Sequence, residues 1–313
     1  MCFNRLIIAL LVCDLALAGL EAPQKAGQYD KDFFEQHRKN APAYVALVQV
    51  LSEFVLEGFA RGTALGDVED VSVLDVGCGH GLLVEAWRSV GLLDSFCIEG
   101  AEDASHMWPP QYSSEFYVLH DLEDVKALAH VQPTDFVTSF EVGEHLRPAA
   151  ADHYVELLTM HHPQLVFFGA ATPFQDRGKN PSHVNENTFA YWIKRFAARG
   201  FHVDWAKTAT AKHKLVTLSD PHARQAVMSA WWYPKNLLIF APDEDRELTD
   251  KALIAHPKQA DMLSPSYLNM AGQGEFGMMW KRDWTKFGKL FYKAQKAARR
   301  RAQRARKRQG GEM

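Results

Sequence analysis

Cysteine is scarce in this chain, with four residues among 313 and no CxxC pair. That scarcity excludes a dense disulfide scaffold and a typical structural zinc site. Neither sign of charge dominates, because 35 Lys and Arg face 38 Asp and Glu, and 47% of the residues are hydrophobic. Such a composition excludes a wholly disordered or collagen-like chain, and it provides enough apolar sequence for one large domain with a sizeable core.

Long hydrophobic runs are also missing. The apolar stretch Leu6–Leu20 would extend about 22 Å as a helix, which is short of the ~30 Å hydrocarbon core of a bilayer. Ala16–Ala18 forms a small-x-small cleavage pattern, so residues 1–22 are predicted to be a cleaved signal peptide or a targeting leader. Asp14 weakens this prediction because a carboxylate is costly to desolvate, and an N-terminal helix packed on the domain is the alternative.

A leader would place the protein in the secretory pathway or in an organelle; otherwise we expect it in the cytoplasm. Removal of the leader would take Cys2 and Cys13 with it and leave Cys78 and Cys97 as the only possible disulfide pair. The sequence alone does not decide whether these two cysteines meet.

The basic residues are unevenly distributed, since residues 281–313 hold 13 of the 35 Lys and Arg and only two acidic residues. Aromatic side chains recur here at steps of four, three and four, at Trp280, Trp284, Phe287 and Phe291. The pattern predicts a basic amphipathic helical tail. Either the aromatic stripe docks on the domain, or residues 281–308 bind an anionic membrane surface, nucleic acid or a partner groove.

Short apolar runs alternate with helical patterns between residues 30 and 245. Strands are predicted at 71–76, 95–98, 116–119, 135–140, 165–170, 201–205 and 237–240. Helices are predicted at 32–59 with a break at Pro42, 82–90, 122–130, 149–161 and 188–199. This alternation is typical of an α/β domain whose parallel sheet is covered by helices on both faces. An irregular connecting segment is expected over 246–280.

Three glycines follow the first strand in the segment 75–81 (DVGCGHG). Glycine allows a tight turn and lets the backbone approach a ligand closely. The spacing is G-x-G-x-G and no Lys-Ser/Thr pair follows, which argues against a P-loop and a typical dinucleotide site. We expect Gly77→Val to abolish ligand binding while leaving the fold largely intact.

The segment 75–81 resembles the first motif of the class I S-adenosylmethionine-dependent methyltransferases. Other motifs follow in the family's order, and 135–146 (DFVTSFEVGEHL) resembles the fourth. The resemblance covers residues 30–245. It implies a Rossmann-like fold with a seven-stranded, mostly parallel sheet whose last strand is antiparallel, followed here by the C-terminal helical basic extension. It also implies S-adenosylmethionine as the cofactor.

The same resemblance implies a set of cofactor-binding positions. In the family, the acidic residue matching Glu99 accepts hydrogen bonds from the ribose hydroxyls, and the one matching Asp121 lies beside the adenine amino group. Glu141 is expected to face the methionine end of the cofactor, and Cys78 is interpreted as a packing residue. The full set is Asp75, Gly77, Cys78, Gly79, Gly81, Glu99, Asp121, Leu122 and Glu141.

No metal is expected, although Glu141, Glu144 and His145 are metal-ligand types, because a Glu-x-x-Glu-His run is routine in the family without a metal. Past the fifth strand, a long polar loop over residues 171–185 leaves the sheet at the ligand-binding edge. His183 on this loop and His145 are the two candidates for a general base, since histidine titrates near neutral pH. For each of them a purely structural role stays open.

The fourth motif lacks the Asn/Asp-Pro-Pro-Tyr/Phe sequence that, in the family, marks methylation of exocyclic base nitrogens or of protein glutamine. This absence favours O-methylation of a small-molecule or glycan acceptor by in-line methyl transfer. One alternative is an RNA methyltransferase recruited by its basic tail. Another is a non-catalytic binding module that retains the fold. The sequence leaves the oligomeric state open.

Overall fold

The computed structural model describes residues 29–62, 71–177, 179–256 and 275–309. Seven strands form one sheet: β1 Ser72–Val76, β2 Asp94–Glu99, β3 Tyr117–Leu119, β4 Phe136–Phe140, β5 Leu165–Gly169, β6 Phe201–Val203 and β7 Leu238–Pro242. Their order is β3-β2-β1-β4-β5-β7-β6. Only β7 runs antiparallel, pairing with β5 on one side and β6 on the other. The predicted Rossmann-like sheet with an antiparallel last strand is confirmed.

Eleven α-helices surround this sheet in the described part of the chain. They are α1 Lys31–His37, α2 Ala41–Gly62, α3 Leu82–Ser89, α4 Glu102–Ser105, α5 Ala151–Thr159, α6 Phe189–Ala198, α7 Trp205–Val216, α8 Pro221–Ser229, α9 Trp232–Asn236, α10 Arg246–Ala255 and α11 Glu275–Gln309. None of the described helices has both the length and the apolar character that crossing a membrane requires. The predicted leader, residues 1–22, lies outside the described ranges.

Both faces of the sheet are buried, as the alternation of strands and helices predicts. Neighbouring side chains on a strand point to opposite faces, and Phe167 and Phe168 of β5 accordingly belong to two separate hydrophobic clusters. The Phe168 cluster includes Trp192 of α6, and the Phe167 cluster includes Leu51 of α2. The sheet is therefore a rigid layer whose strand ends can hold a site.

Several boundaries differ from the sequence predictions for local reasons. The break near Pro42 is a short 3-10 helix at Arg38–Asn40, and Pro42 lies in the first turn of α2, where its missing N–H costs little. The strand predicted to reach residue 205 ends at Val203, because the Asp204 side chain accepts a hydrogen bond from the Lys207 N–H and caps α7. Residues 122–130 contain a 3-10 helix at Val125–His130 rather than a full α-helix.

The C-terminal basic segment is a long helix packed on the domain. Trp284, Phe287 and Phe291 are at most 2% exposed, so these three members of the aromatic stripe pack into the domain, and the side chain of Trp280 lies outside the described ones. The helix begins at Glu275, before the predicted start of the tail, and α10 occupies residues 246–255 of the segment expected to be irregular. Residues 257–274 of that segment lie outside the described ranges. The stretch of α11 from Asp283 to Ala298 is therefore part of the folded domain.

Candidate active site

The loop between β1 and α3 turns on glycines with left-handed backbone angles. Gly77, Gly79 and Gly81 have φ values of +77°, +55° and +87°. A Cβ atom on Gly77 would lie 2.3 Å from the Cγ2 atom of Val142. The expectation that Gly77→Val leaves the fold intact is therefore corrected: the new side chain would collide with the loop after β4 and strain the turn, in addition to narrowing any ligand space.

Cys78 and Cys97 form a disulfide with their Cα atoms 5.7 Å apart. The bond joins the glycine loop to β2, and the Gly77 N–H also donates to the Ile98 carbonyl at 2.8 Å. The pairing that the sequence left open is thus made, and Cys78 is a covalent anchor of the loop rather than only a packing residue.

Glu99 ends β2 directly below this loop. Its Oε2 accepts the Gly79 N–H at 2.7 Å, and its Oε1 accepts the N–H groups of Gly100 and Ala101 at 2.7 and 2.8 Å. Burial raises the pKa of the Glu99 carboxyl, and these three hydrogen bonds oppose that shift. A carboxylate offers about four acceptor positions, so Glu99 has capacity left for a hydroxyl donor.

A cavity of about 1090 Å³ opens at this edge of the sheet. Of the nine predicted cofactor-binding residues, seven line it: Gly77, Cys78, Gly79, Glu99, Asp121, Leu122 and Glu141. The two that do not line it are Asp75 and Gly81. The Asp75 carboxylate is 3% exposed beneath the loop and accepts the Thr138 hydroxyl at 2.7 Å. Its burial raises the pKa of Asp75 to about 7.

Both predicted histidines line the same cavity, with ring centroids 4.8 Å apart. The His183 Nδ1 lies 2.9 Å from the Glu186 Oε1 and 3.7 Å from the Asp176 Oδ2. Because a carboxylate only accepts, Nδ1 carries the hydrogen, and Nε2 of the neutral ring has the free lone pair. The His145 Nδ1 lies 2.6 Å from the Tyr29 hydroxyl. The structure therefore brings His183 and His145 together at one end of the cavity.

Glu144 is completely buried beside these histidines, close to the Glu141 carboxylate and the Ala171 backbone. Burial and the negative charge of Glu141 hold the pKa of the Glu144 carboxyl well above its ordinary range. One ligand atom each from Glu144, His145 and His183 lie within 4.8 Å of one another, as do those of Asp176, His183 and Glu186. By residue type and spacing, these groups are able to hold a divalent metal ion.

Aromatic side chains that sequence reasoning did not assign to the site form much of the cavity wall. Tyr29, Phe33 and Phe34 come from the start of the described chain and from α1, and Trp231–Tyr233 come from the α8–α9 region. The run of three aromatic residues at 231–233 was the one local signal available for this wall. Tyr29 and Phe33 have no such signal, because they reach the cavity only through the packing of α1.

Comparisons with known proteins match this chain through its structure alone. No protein-family model matches it, and no curated protein matches it. One similar solved structure is a SAM dependent methyltransferase from Archaeoglobus fulgidus, with 16% identity, a TM-score of 0.42, and 55% of this chain and 75% of that chain covered. Another is the magnesium protoporphyrin IX methyltransferase from Synechocystis with bound SAH, with 16% identity, a TM-score of 0.42, and coverage of 56% and 87%.

A third similar structure is a putative methyltransferase in complex with the Trm112 methyltransferase activator, from Haloferax volcanii. It shares 14% identity with a TM-score of 0.39, and 63% of this chain and 93% of that chain are covered. Similarities at this level do not assign a reaction, so the case for a function depends on the site itself.

Proposed function

We propose that this protein is an S-adenosylmethionine-dependent methyltransferase that methylates a hydroxyl oxygen of a small molecule or sugar. The observation that carries the proposal is a single cavity that extends from the glycine loop and Glu99 to the His183–Glu186 pair. One end of it has the groups that bind a nucleoside, and the other has a base held in a fixed orientation.

The cofactor end fits S-adenosylmethionine. Gly77 and Gly79 leave backbone rather than side chains at the cavity wall, and a Cβ on Gly79 would lie 3.2 Å from the Phe34 ring. Glu99 retains acceptor capacity for a ribose hydroxyl, and Asp121 and Leu122 line the same cavity. The bound cofactor would supply an electrophilic methyl group on its sulfonium, and the protein's residues hold and orient it.

At the acceptor end, Glu186 and Asp176 hold the His183 imidazole so that Nε2 is free to accept a proton. A histidine oriented by a carboxylate is a common general-base arrangement for activating a hydroxyl. As the methyl group moves to the acceptor oxygen, the hydroxyl proton passes to Nε2. His145, held by Tyr29, is the second candidate for this role.

The size and lining of the cavity support a small acceptor. Its 1090 Å³ must hold both the cofactor and the acceptor, and the aromatic side chains of α1 and of residues 231–233 form its walls. Aromatic rings stack on sugar rings and aromatic compounds while excluding water from the reacting atoms. These properties favour an enclosed small molecule over a segment of a long polymer.

The test uses S-adenosylmethionine with a radiolabelled methyl group and a panel of phenols, alcohols and sugars. We expect label on a hydroxyl acceptor, with the turnover rate reduced about 10²-fold or more in His183→Asn. His222→Asn is the control, because His222 is exposed on α8 away from the cavity. Labelling of amines or proteins alone would contradict the proposed acceptor class, and equal turnover in both variants would remove His183 as the base.

A second candidate function, RNA methylation, is favoured by the end of α11. Beyond the buried Ala298, seven basic side chains are exposed: Arg299, Arg300, Arg301, Arg304, Arg306, Lys307 and Arg308. This stretch has no large apolar side chains, so it suits a polyanion better than insertion into a membrane. If RNA is the acceptor, neutralising these residues would abolish its labelling. If RNA is not labelled, this candidate fails.

The compartment remains a proposal as well. The Cys78–Cys97 disulfide supports the secretory pathway or an oxidising organelle, because such bonds persist where thiols are not kept reduced. Mass spectrometry of the protein isolated from its natural source would test this. We expect an N-terminus near residue 19 to 23; a protein that retains residue 1 and is recovered from the cytosol would contradict it.

A further inference from the structure

A chain of buried polar side chains connects the C-terminal helix to the cavity. Asp283 of α11 lies 3.6 Å from the Lys235 ammonium, and that ammonium donates to the Gln175 Oε1 at 2.8 Å. The Gln175 Nε2 donates to the Glu141 Oε2 at 2.6 Å. Asn236 completes the group, since its Nδ2 lies 2.7 Å from the Glu141 Oε1 and 2.8 Å from the Gln175 Oε1. Asp283, Lys235 and Gln175 are all at least nine-tenths buried.

Asp283, the first member of the chain, provides a negative charge beside the buried ammonium of Lys235. Lys235 is fully buried, and burial lowers its pKa while the negative charges of Asp283 and Glu141 oppose that change. Lys212, the other buried lysine nearby, donates to the carbonyls of Pro234 and Lys235, and burial holds its pKa well below the ordinary range. Asp283 is thus the main counter-charge that keeps the Lys235 side chain an ammonium.

The middle of the chain fixes the orientation of an amide. The Gln175 Oε1 accepts from two donors, Lys235 and Asn236, and this leaves its NH₂ group facing Glu141. If the Lys235 ammonium moved away, Oε1 would lose its charged donor and keep the Asn236 amide, so the Gln175 NH₂ group would be held less firmly toward Glu141. The position of the Glu141 carboxylate therefore depends in part on the ammonium, alongside its direct hydrogen bond from Asn236.

Glu141, the last member of the chain, has an unfavourable backbone conformation. Glu141 has a φ of +58°, which is unfavourable for a residue with a side chain, and its N–H donates to the Gly169 carbonyl at 2.8 Å. Glu141 lines the same cavity as the glycine loop and His145. A residue in this conformation persists only where its surroundings hold it in place. Gln175 and Asn236 donate the hydrogen bonds that hold the Glu141 carboxylate.

We infer that Asp283 is a positioning residue for the active site, which acts through Lys235 and Gln175 to hold the Glu141 carboxylate at the amino-acid end of the cofactor site. This inference rests on the proposed function, since it assigns Glu141 to the methionine end of S-adenosylmethionine. The C-terminal helix α11 is then a component of the cofactor site. The same helix carries the basic residues at its end.

Helix α11 also holds the start of the loop over residues 171–185. The Thr172 hydroxyl donates to the Asp283 Oδ2 at 2.6 Å, and the Arg282 guanidinium donates to the Pro173 carbonyl at 2.9 Å. Gln175 follows directly on this loop, and its N–H donates to the Thr172 carbonyl. Asp283 therefore contacts both Lys235 and the loop that carries Gln175. Both contacts help to position the side-chain amide of Gln175.

The experiment measures binding to the full chain by calorimetry, with two ligands. S-adenosylhomocysteine carries the amino-acid portion, and adenosine lacks it. For Asp283→Asn we expect the affinity for S-adenosylhomocysteine to fall about tenfold while the affinity for adenosine is retained, because a charge-assisted contact is lost only at the amino-acid end. The ratio of the two affinities is a readout that general loosening of the fold would not move.

Asp250→Asn is the matched control. Asp250 of α10 accepts two hydrogen bonds from Arg301, so it also fastens α11 to the domain, but it does not line the cavity. We expect this variant to bind both ligands as the wild type does. Gln175→Met, which leaves α11 and its contacts in place, should reproduce the selective loss and keeps the test informative if Asp283→Asn folds poorly.

Equal loss of both ligands in Asp283→Asn, or an unchanged affinity ratio in Gln175→Met, would overturn the inference. Failure of the wild-type protein to bind S-adenosylhomocysteine would instead contradict the proposed function, and the inference with it.

Discussion

Asp75 illustrates how one residue of the glycine loop combines burial with a single strong partner. Its carboxyl is 3% exposed, its Oδ1 accepts the Thr138 hydroxyl, and burial raises its pKa to about 7 from an ordinary value of 3.8. The native protein therefore binds a proton at this site over a pH range in which the unfolded chain has already lost it. Sequence reasoning identified Asp75 from the motif and assigned it to the cofactor-binding set, and the structure places its side chain beneath the loop, outside the residues that line the cavity.

This pKa predicts the direction of a pH effect on stability. Between about pH 4 and pH 7 the raised pKa makes the contribution of Asp75 to the free energy of unfolding fall as pH rises, and above pH 7 it stays low. Asp75→Asn keeps an acceptor for Thr138 but cannot ionise. The free energy of unfolding of the variant minus that of the wild type should therefore be larger at pH 8 than at pH 5, by on the order of 2 kcal/mol.

Urea unfolding of the two proteins at pH 5 and pH 8 measures this difference. The same stability difference between variant and wild type at both pH values would show that the Asp75 carboxyl does not titrate in this range.

At the scale of the elements, the site depends on connections between segments that are distant in sequence. The glycine loop, Glu99 and Asp121 are predictable because a strand, its loop and the next strand end carry local patterns. The contributions of α1 and α11 were not predictable in the same way. The spacing of Trp284, Phe287 and Phe291 indicated an amphipathic helix, but which surface it covers depends on long-range packing, and so does the pairing of Asp283 with Lys235.

The Cys78–Cys97 disulfide is one such connection, because it ties the glycine loop to β2 across 19 residues. Closing a loop of this length stabilises a protein by about 3 kcal/mol in the chain-entropy description. We expect Cys78→Ser/Cys97→Ser to lower the thermal midpoint and to weaken S-adenosylhomocysteine binding, since both the loop and β2 contribute to the cavity.

Calorimetry and thermal unfolding in the presence and absence of a thiol reductant provide the check. Reductant should move the wild-type protein toward the double variant and leave the double variant unchanged. Identical midpoints for oxidised and reduced wild type would contradict the role given to this bond.

At the scale of the whole molecule, one sheet edge collects groups from most of the chain. The α/β class and the sheet with its antiparallel last strand were predicted from the sequence. Seven of the nine residues predicted to bind the cofactor line the cavity, and their role there stays a prediction. The acceptor end was predicted through the 171–185 loop, His183 and His145. The Glu186 partner of His183 lies only three residues along the chain, although the sequence analysis did not assign it. The aromatic wall combines α1 with residues 231–233, and only the run of three aromatic residues gave a local signal for it.

The measurement that tests the central claim most directly is calorimetric titration of the purified protein with S-adenosylmethionine and S-adenosylhomocysteine. We predict dissociation constants in the micromolar range, about 10²-fold weaker in Glu99→Ala, because its carboxylate accepts the Gly79 N–H of the loop and, in the proposed function, would also accept from the ribose. Glu115→Gln, an exposed carboxyl away from the cavity, should bind as the wild type does. A folded wild-type protein that binds neither compound would contradict the assignment of this cavity as a methyltransferase site.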